Sequence, residues 1–304
     1  MWDCIIVGGG VAGLTAGMYA QRAGLKTLLF EEMFAGGQAA TTYQIENYPG
    51  FVDPINGVDF AMKMEEHARK FGLEIIYDQV KDLQLDGRIK KVLTSKGEYE
   101  SKTVILAMGA QARTLGLPKE DQFRGRGVSY CATCDGLFYK GKAVAVVGGG
   151  DTAVSDAIYL SKIAGKVYLI HRRDELRASK ILQERVFENP NVELVWNCVA
   201  DTILGEEKVQ GLTVRNTINS DRRNLTVQGI FVAIGIRPNT KLVEGKIDTT
   251  EAGFILTDEN MATGIRGVFA AGDIRQKSLR QIVTAASDGA IAAIMSQQYI
   301  IETD

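Results

Sequence analysis

The chain has 304 residues, enough for two domains of ordinary size, each able to bury its own core. Hydrophobic residues make up 45% and charged residues 24%, the balance of a globular protein, and a net charge of −2 without a long basic run argues against nucleic acid as the main partner. No stretch reaches the ~18 apolar residues of a membrane span, and four cysteines (Cys4, Cys131, Cys134, Cys198) are too few for a disulfide scaffold.

The opening stretch "DCIIVGGGVAGLTAGMYAQRAGLKTLLFEE" predicts a strand, a glycine turn, a helix and a second strand. Ile5, Ile6 and Val7 read as a buried strand, so the apolar N-terminus is expected to be a first strand and not a signal peptide. Gly8, Gly10 and Gly13 follow in the G-x-G-x-x-G spacing. Those glycines let backbone approach a pyrophosphate seated on the helix N-terminus. Glu31 closes the second strand; an acid there suits a ribose 2′-hydroxyl and repels a 2′-phosphate. The first unit is therefore expected to hold an unphosphorylated dinucleotide, FAD or NAD. A later strand, "TVILAMGA", ends at Gly109.

Next comes "SYCATCDG". Zinc is disfavoured for Cys131 and Cys134 because a structural site needs about four ligands. Cys4 and Cys198 are single and distant, and His67 and His171 are the only histidines. Cys4 reads as a small buried apolar residue. A structural disulfide is disfavoured by the expected cytoplasmic setting and by the short loop it would close. The remaining reading is redox: a pair that opens to a dithiol, attacks a partner disulfide with one sulfur and resolves the mixed disulfide with the other. Asp135 stands directly behind as a candidate general acid/base, or as a helix cap or turn residue.

The strand–glycine–helix–strand plan then recurs in "KAVAVVGGGDTAVSDAIYLSKIAGKVYLIHRR", with Gly148, Gly150 and Ala153 at the turn. Its second strand ends at His171, the place equivalent to Glu31. Here the residues are His171, Arg172, Arg173 and, one helical turn on, Arg177. Guanidinium forks match phosphate oxygens and stay charged, so this copy is expected to take NADP(H). A second terminal strand, "GIFVAIGI", ends at Gly235. Two copies of one plan predict an α/β chain of two doubly wound, Rossmann-like nucleotide-binding domains.

From "IIVGGGVAGLTAG" through "GGQ", "ENYPGF", "CATCDG", "GGGDTA" and "HRRDELRAS" to "GVFAAGD" and "LRQIVTAASDGAIAA", the chain resembles the low-molecular-weight thioredoxin reductase family, over nearly its whole length. CATCDG together with HRRxxxRA is specific; the glycine motifs alone are not. The resemblance implies FAD in the first domain and NADPH in the second. It makes the FAD domain discontinuous, 1–112 and 245–304, around an NADPH domain at 113–244 that carries the CxxC. It places Gly8, Gly10, Gly13, Glu31, Gln38, Asn47, Gly109, Gly272, Asp273, Arg280, Gln281 and Ile282 at FAD, with Asp273 on the ribityl–phosphate chain and residues 280–282 near the isoalloxazine ring. Gly148, Gly150, Asp151, Thr152, His171, Arg172, Arg173 and Arg177 fall at NADPH.

It further implies that Cys134 faces the flavin, Cys131 attacks thioredoxin and Asp135 is the acid/base. A homodimer in the cytoplasm is expected, with one domain rotating against the other about segments near 113–118 and 238–245, which hold Pro118 and Pro238. The chain departs from the family at Met108, which replaces a polar residue, and at Ser155-Asp156, where two acids are usual. Alternative electron routes are a glutaredoxin-like or other dithiol acceptor, and feeding by ferredoxin or another flavoprotein, against which the arginine clamp argues. Cys198 has no expected role.

Overall fold

The computed structural model describes residues 1–42 and 44–303. The chain forms two compact units, one of Met1–Gln111 with Arg237–Asp304, the other of Ala112–Ile236.

The first unit is built on the strand Trp2–Val7. It pairs in parallel with Thr27–Glu31 on one side and Glu98–Leu106 on the other; Glu74–Tyr77 extends the sheet beyond Thr27–Glu31. Successive side chains of a strand point to opposite faces. Cys4 and Ile6 therefore enter one core with the helices Val11–Arg22 and Ile282–Thr303, while Ile5 and Val7 enter another. A strand buried on both faces has no polar side, which is why the sequence reads CIIV without alternation. The second core is closed by Leu83, Leu85 and Val92 of an antiparallel meander and by Val243, Ile247 and Ile255. On the edge away from Trp2–Val7, Glu98–Leu106 serves two partners in turn. Its first half pairs antiparallel with Lys90–Thr94, and its second half pairs in parallel with Val268–Ala270, the strand of the "GVFAAGD" motif.

The helices Val11–Arg22 and Ile282–Thr303 meet through small residues. A methyl group on Gly289 would lie 2.1 Å from the Ala12 carbonyl oxygen, which is backbone and cannot move aside. Gly289→Ala is expected to destabilise by about 1–3 kcal/mol, the cost of overpacking. A thermal melt followed by circular dichroism checks this; at roughly 2–4 °C per kcal/mol the midpoint falls by several degrees.

In the second unit a five-stranded parallel sheet runs in the order Val192–Val195, Lys166–Ile170, Ala143–Val147, Gly229–Val232, Val128–Ser129. One face packs Val144, Val146 and Phe231 against the helices Asp151–Leu160 and Lys180–Phe187. The other meets the antiparallel sheet of Cys198–Gly205, Val209–Asn216 and Arg222–Leu225, through Leu212, Val214 and Leu225.

The chain crosses between the units at Gln111–Ala112 and Ile236–Arg237. Residues 237–244 go with the first unit by their contacts. Asn239 explains this: its backbone N–H donates to the Gly109 carbonyl (3.0 Å) and its side chain to that of Met108 (2.8 Å), and Val243 is buried in the first unit's core. Residues 115–117, part of one expected hinge, are pinned within the second unit. The buried Glu120 carboxylate accepts from the backbone N–H groups of Leu115, Gly116 and Leu117 at 2.8, 2.8 and 3.3 Å. Among the described residues no helix is long and apolar enough to cross a membrane.

Candidate active site

The glycine loop of the first unit has the geometry its spacing predicts. Gly8 lies at φ +106°, and a side chain there would strike the Ala107 backbone. Gly13 packs so closely that an added methyl group would lie 1.9 Å from the Gly8 carbonyl oxygen. Gly10 precedes the helix Val11–Arg22 without any side-chain cap, leaving the first-turn N–H groups to other acceptors. Glu31 faces this loop: one carboxylate oxygen accepts from the Gly9 N–H at 2.7 Å, the other from the Glu32 N–H at 2.9 Å. Gln38 donates to the Ala110 carbonyl, and Asn47 donates to the Gln281 side chain at 3.0 Å. Gly109 follows the end of Glu98–Leu106, and Gly272 the end of Val268–Ala270. The Gly272 N–H donates to Asp288 at 3.0 Å, and Lys277 donates to the same oxygen at 2.8 Å. Arg280 stacks its guanidinium 4.3 Å over the Phe254 ring, and Ile282 begins the helix Ile282–Thr303.

Among the described residues, the buried Asp273 Oδ1 and Arg280 Nε, like Arg275 Nε, have no hydrogen-bond partner. Burial pushes the Asp273 carboxyl up, against the pull of Lys277 and Arg280, and burial pushes the Arg280 guanidinium down. Buried polar groups are normally satisfied. An uncapped helix start, a glycine cradle and buried polar atoms left unsatisfied at Asp273 and Arg280 are what a dinucleotide with a polar chain would complete, so these residues fit FAD. Met108 turns its side chain toward the apolar core with Ile5 and Val7, so its hydrophobic character suits its packing.

The second unit repeats the arrangement with other chemistry. Gly148 lies at φ +155° against the Ala233 carbonyl, and Gly150 precedes the helix Asp151–Leu160, again with no side-chain cap. Asp151 accepts from the Ser179 N–H at 2.7 Å, and Thr152 is exposed on the first turn. His171 takes the place of Glu31 but is only 4% exposed, wedged so that a methyl group on Gly149 would lie 2.1 Å from its Nδ1. Burial, with help from the Arg177 charge, holds its imidazole below the usual range and hence neutral near pH 7. The histidine thus lies beneath the loop. Arg172, Arg173 and Arg177 are exposed, and the Arg177 N–H ties their segment back to the Gly149 carbonyl at 2.7 Å. An uncapped helix start with three arginines on a segment tied back to its glycine loop fits a dinucleotide bearing an extra phosphate. Asp156 is pushed up to about 6 by burial, and Ser155 is exposed.

Cys131 and Cys134 form a disulfide with Cα atoms 5.3 Å apart. Cys131 caps the four-residue helix Ala132–Asp135, and both cysteines are partly exposed. Asp135 ends that helix and stands at the N-cap position of the following turn Gly136–Tyr139. Its Oδ2 accepts from the buried Ser129 hydroxyl at 2.6 Å. Tyr130, immediately before Cys131, donates its hydroxyl to Glu120 at 2.6 Å, while its ring lies 4.7 Å beneath the Arg124 guanidinium. Sequence reading missed Ser129, Glu120 and Asp288. Each takes its partners only in the folded chain: Ser129 from Cys131 and Asp135, Glu120 from residues 115–117 and Tyr130, Asp288 from Gly272 and Lys277. Cys4 is fully buried, its thiol pushed up to about 12 by burial, and Cys198 is free and half-buried.

The pyridine nucleotide-disulphide oxidoreductase family matches residues 2–289. A thioredoxin reductase of Bacillus subtilis is 47% identical over 304 residues, covering 99% of this chain and 96% of the relative. One from Peptoclostridium acidaminophilum is 46% identical over 306 residues, covering 99% and 97%. The crystal structure of the thioredoxin reductase from Streptococcus pyogenes superposes with a TM-score of 0.95 at 46% identity, covering 99% of both chains. With two glycine-turn nucleotide folds and a disulfide built from C-x-x-C, the chain belongs to the thioredoxin reductases of the pyridine nucleotide-disulphide oxidoreductase family.

Proposed function

We propose that this chain is an NADPH-dependent flavoprotein that reduces the disulfide of thioredoxin through Cys131 and Cys134. The observation that carries the reading is the Cys131–Cys134 disulfide at the start of a short helix, with a carboxylate held beside it. Gly8, Gly10, Gly13, Glu31, Gln38, Asn47, Gly109, Gly272, Asp273, Arg280, Gln281 and Ile282 hold FAD. Gly148, Gly150, Asp151 and Thr152 receive the pyrophosphate of NADPH, His171 shapes that loop, and Arg172, Arg173 and Arg177 take the 2′-phosphate. FAD, when bound, supplies the two-electron relay between nicotinamide and disulfide.

The chain's own residues perform the exchange. Two electrons and two protons convert the Cys131–Cys134 disulfide to a dithiol. Asp135 takes the proton of the Cys131 thiol, and the resulting thiolate attacks the thioredoxin disulfide, forming one S–S bond and breaking another. Asp135 protonates the leaving sulfur. The Cys134 thiol returns a proton to Asp135 and its sulfur attacks Cys131, restoring the disulfide and releasing the second thioredoxin sulfur, which takes up the remaining proton. The reading extends to a homodimer in the cytoplasm, following the resemblance; sedimentation of the purified protein tests the dimer.

The function is tested by following disulfide reduction of thioredoxin and of a glutaredoxin-like carrier with NADPH, and of thioredoxin with reduced ferredoxin in place of NADPH. Thioredoxin with NADPH is expected to exceed either alternative by about 100-fold or more in kcat/KM, a difference of ~2.7 kcal/mol in transition-state binding. Equal rates with an unrelated dithiol carrier would remove thioredoxin specificity, and turnover with ferredoxin alone would remove NADPH as donor.

A further inference from the structure

We propose that Ser129 is a positioning residue for Asp135, orienting its carboxylate and setting its readiness to take a proton during thiol–disulfide exchange. The proposal rests on the reading of Asp135 as the acid/base. Ser129 ends the strand Val128–Ser129, where it is registered against Phe231 in the parallel sheet, so its backbone is anchored. It is 4% exposed. A serine hydroxyl has one proton and two lone pairs. The 2.6 Å contact to Asp135 Oδ2 is the shortest that this hydroxyl makes, and its acceptor is a carboxylate that can only accept when ionised, so the proton points there. The Cys131 N–H donates to the same hydroxyl oxygen at 3.1 Å. The Cys131 carbonyl, 3.3 Å from that oxygen, instead accepts from the Asp135 N–H at 3.1 Å.

The result is a directed chain, Cys131 N–H to Ser129 O–H to Asp135 carboxylate. It joins the backbone of the first cysteine to the group that follows the second. A donor already polarised by an upstream N–H is the stronger donor. A hydrogen bond to the charged form of an acid favours that form. Ser129 therefore holds Asp135 ionised and ready to accept the proton of a thiol, and holds it in one direction. A serine that merely satisfied the strand end would need the Cys131 N–H alone; the second, shorter bond to Asp135 is what a structural role leaves unexplained.

The test uses the full-length flavoprotein, reduced anaerobically with NADPH and mixed with oxidised thioredoxin in a stopped-flow instrument across pH. In Ser129→Ala the exchange rate near neutral pH is expected to fall about tenfold. The limb of the pH profile that reports the carboxylate is expected to move to higher pH by on the order of one unit, the size of a lost hydrogen bond to a charged group. Ser129→Thr, which keeps a hydroxyl, is expected to retain the limb. Asp135→Asn is expected to remove it. If Asn removes the limb and Ser129→Ala leaves it in place, Ser129 is structural and the proposal is overturned while the role of Asp135 stands. If Asp135→Asn leaves the limb unmoved, the acid/base reading fails and the proposal falls with it. Should the alanine protein fold poorly, Ser129→Thr against Ser129→Val, equal in shape, makes the same comparison: identical profiles overturn the proposal, and a shift in Val alone supports it.

Discussion

In a Cys134→Ser enzyme, a mixed disulfide between Cys131 and thioredoxin is expected to accumulate, while in Cys131→Ser none forms. Both variants lose thioredoxin-linked turnover by about 10³-fold or more, as removal of a covalent catalyst requires. The asymmetry comes from the exchange chemistry. The attacking sulfur forms the mixed disulfide, and only the second cysteine can resolve it. Bound flavin is expected to be bleached by NADPH in both, because neither cysteine belongs to the residues proposed to hold NADPH or FAD. Non-reducing electrophoresis with mass spectrometry checks the adduct, and anaerobic absorbance checks the flavin. An adduct in Cys131→Ser and not in Cys134→Ser would exchange the two roles. The free thiols do not confuse the count, since Cys4 is fully buried with its thiol pushed up to about 12. Cys198 lies in the second unit's antiparallel sheet and can be changed to serine in the background.

Removing the guanidinium groups is expected to erase the choice between the two nicotinamide cofactors. Arg172→Gln with Arg177→Gln should raise the KM for NADPH by about 100-fold and leave that for NADH within about twofold. Each exposed arginine–phosphate contact is taken at the low end of charge-assisted hydrogen bonds, ~1.4 kcal/mol, and two of them give the factor. Because Arg172, Arg173 and Arg177 are exposed, their attraction for the phosphate is screened. The KM for NADPH in the unaltered enzyme should therefore rise with salt, and that for NADH should not. Steady-state kinetics with both cofactors at two ionic strengths checks both statements. A double variant that keeps its preference for NADPH would move the selector away from this segment. His171 takes a different part in the same loop. It is buried and neutral near pH 7, so a smaller side chain there should disturb both cofactors alike.

The two nucleotide folds were legible because their signals are local. A strand buried on both faces announces itself by an unbroken apolar run, as in CIIV and AVAVV. The glycines that follow are demanded by close backbone contact, such as Gly8 against Ala107 and Gly148 against Ala233. The same holds for C-x-x-C, whose spacing places both sulfurs on one helical turn, within reach of a disulfide. The second face of the second unit's sheet was not legible. Alternating apolar residues at Leu212 and Val214 fit a covering sheet as well as an edge strand, and only the packing decides. Nor was the bonding of Asn239 to residues 108 and 109, far away in sequence.

By itself the sequence determined the class of chemistry: which turns are built on close-packed glycines, which copy carries the arginines, which cysteines can pair. Those properties belong to residue types at short spacing, and short spacing survives without knowledge of the fold. The tertiary structure alone decided the partners. It set His171 beneath a loop, joined Asn47 to Gln281, seated Lys277 and the Gly272 N–H on Asp288, and turned the Ser129 hydroxyl onto Asp135. A hydrogen bond depends on direction and a few tenths of an ångström. Such precision arises only when packed strands and helices bring distant backbone segments to fixed positions.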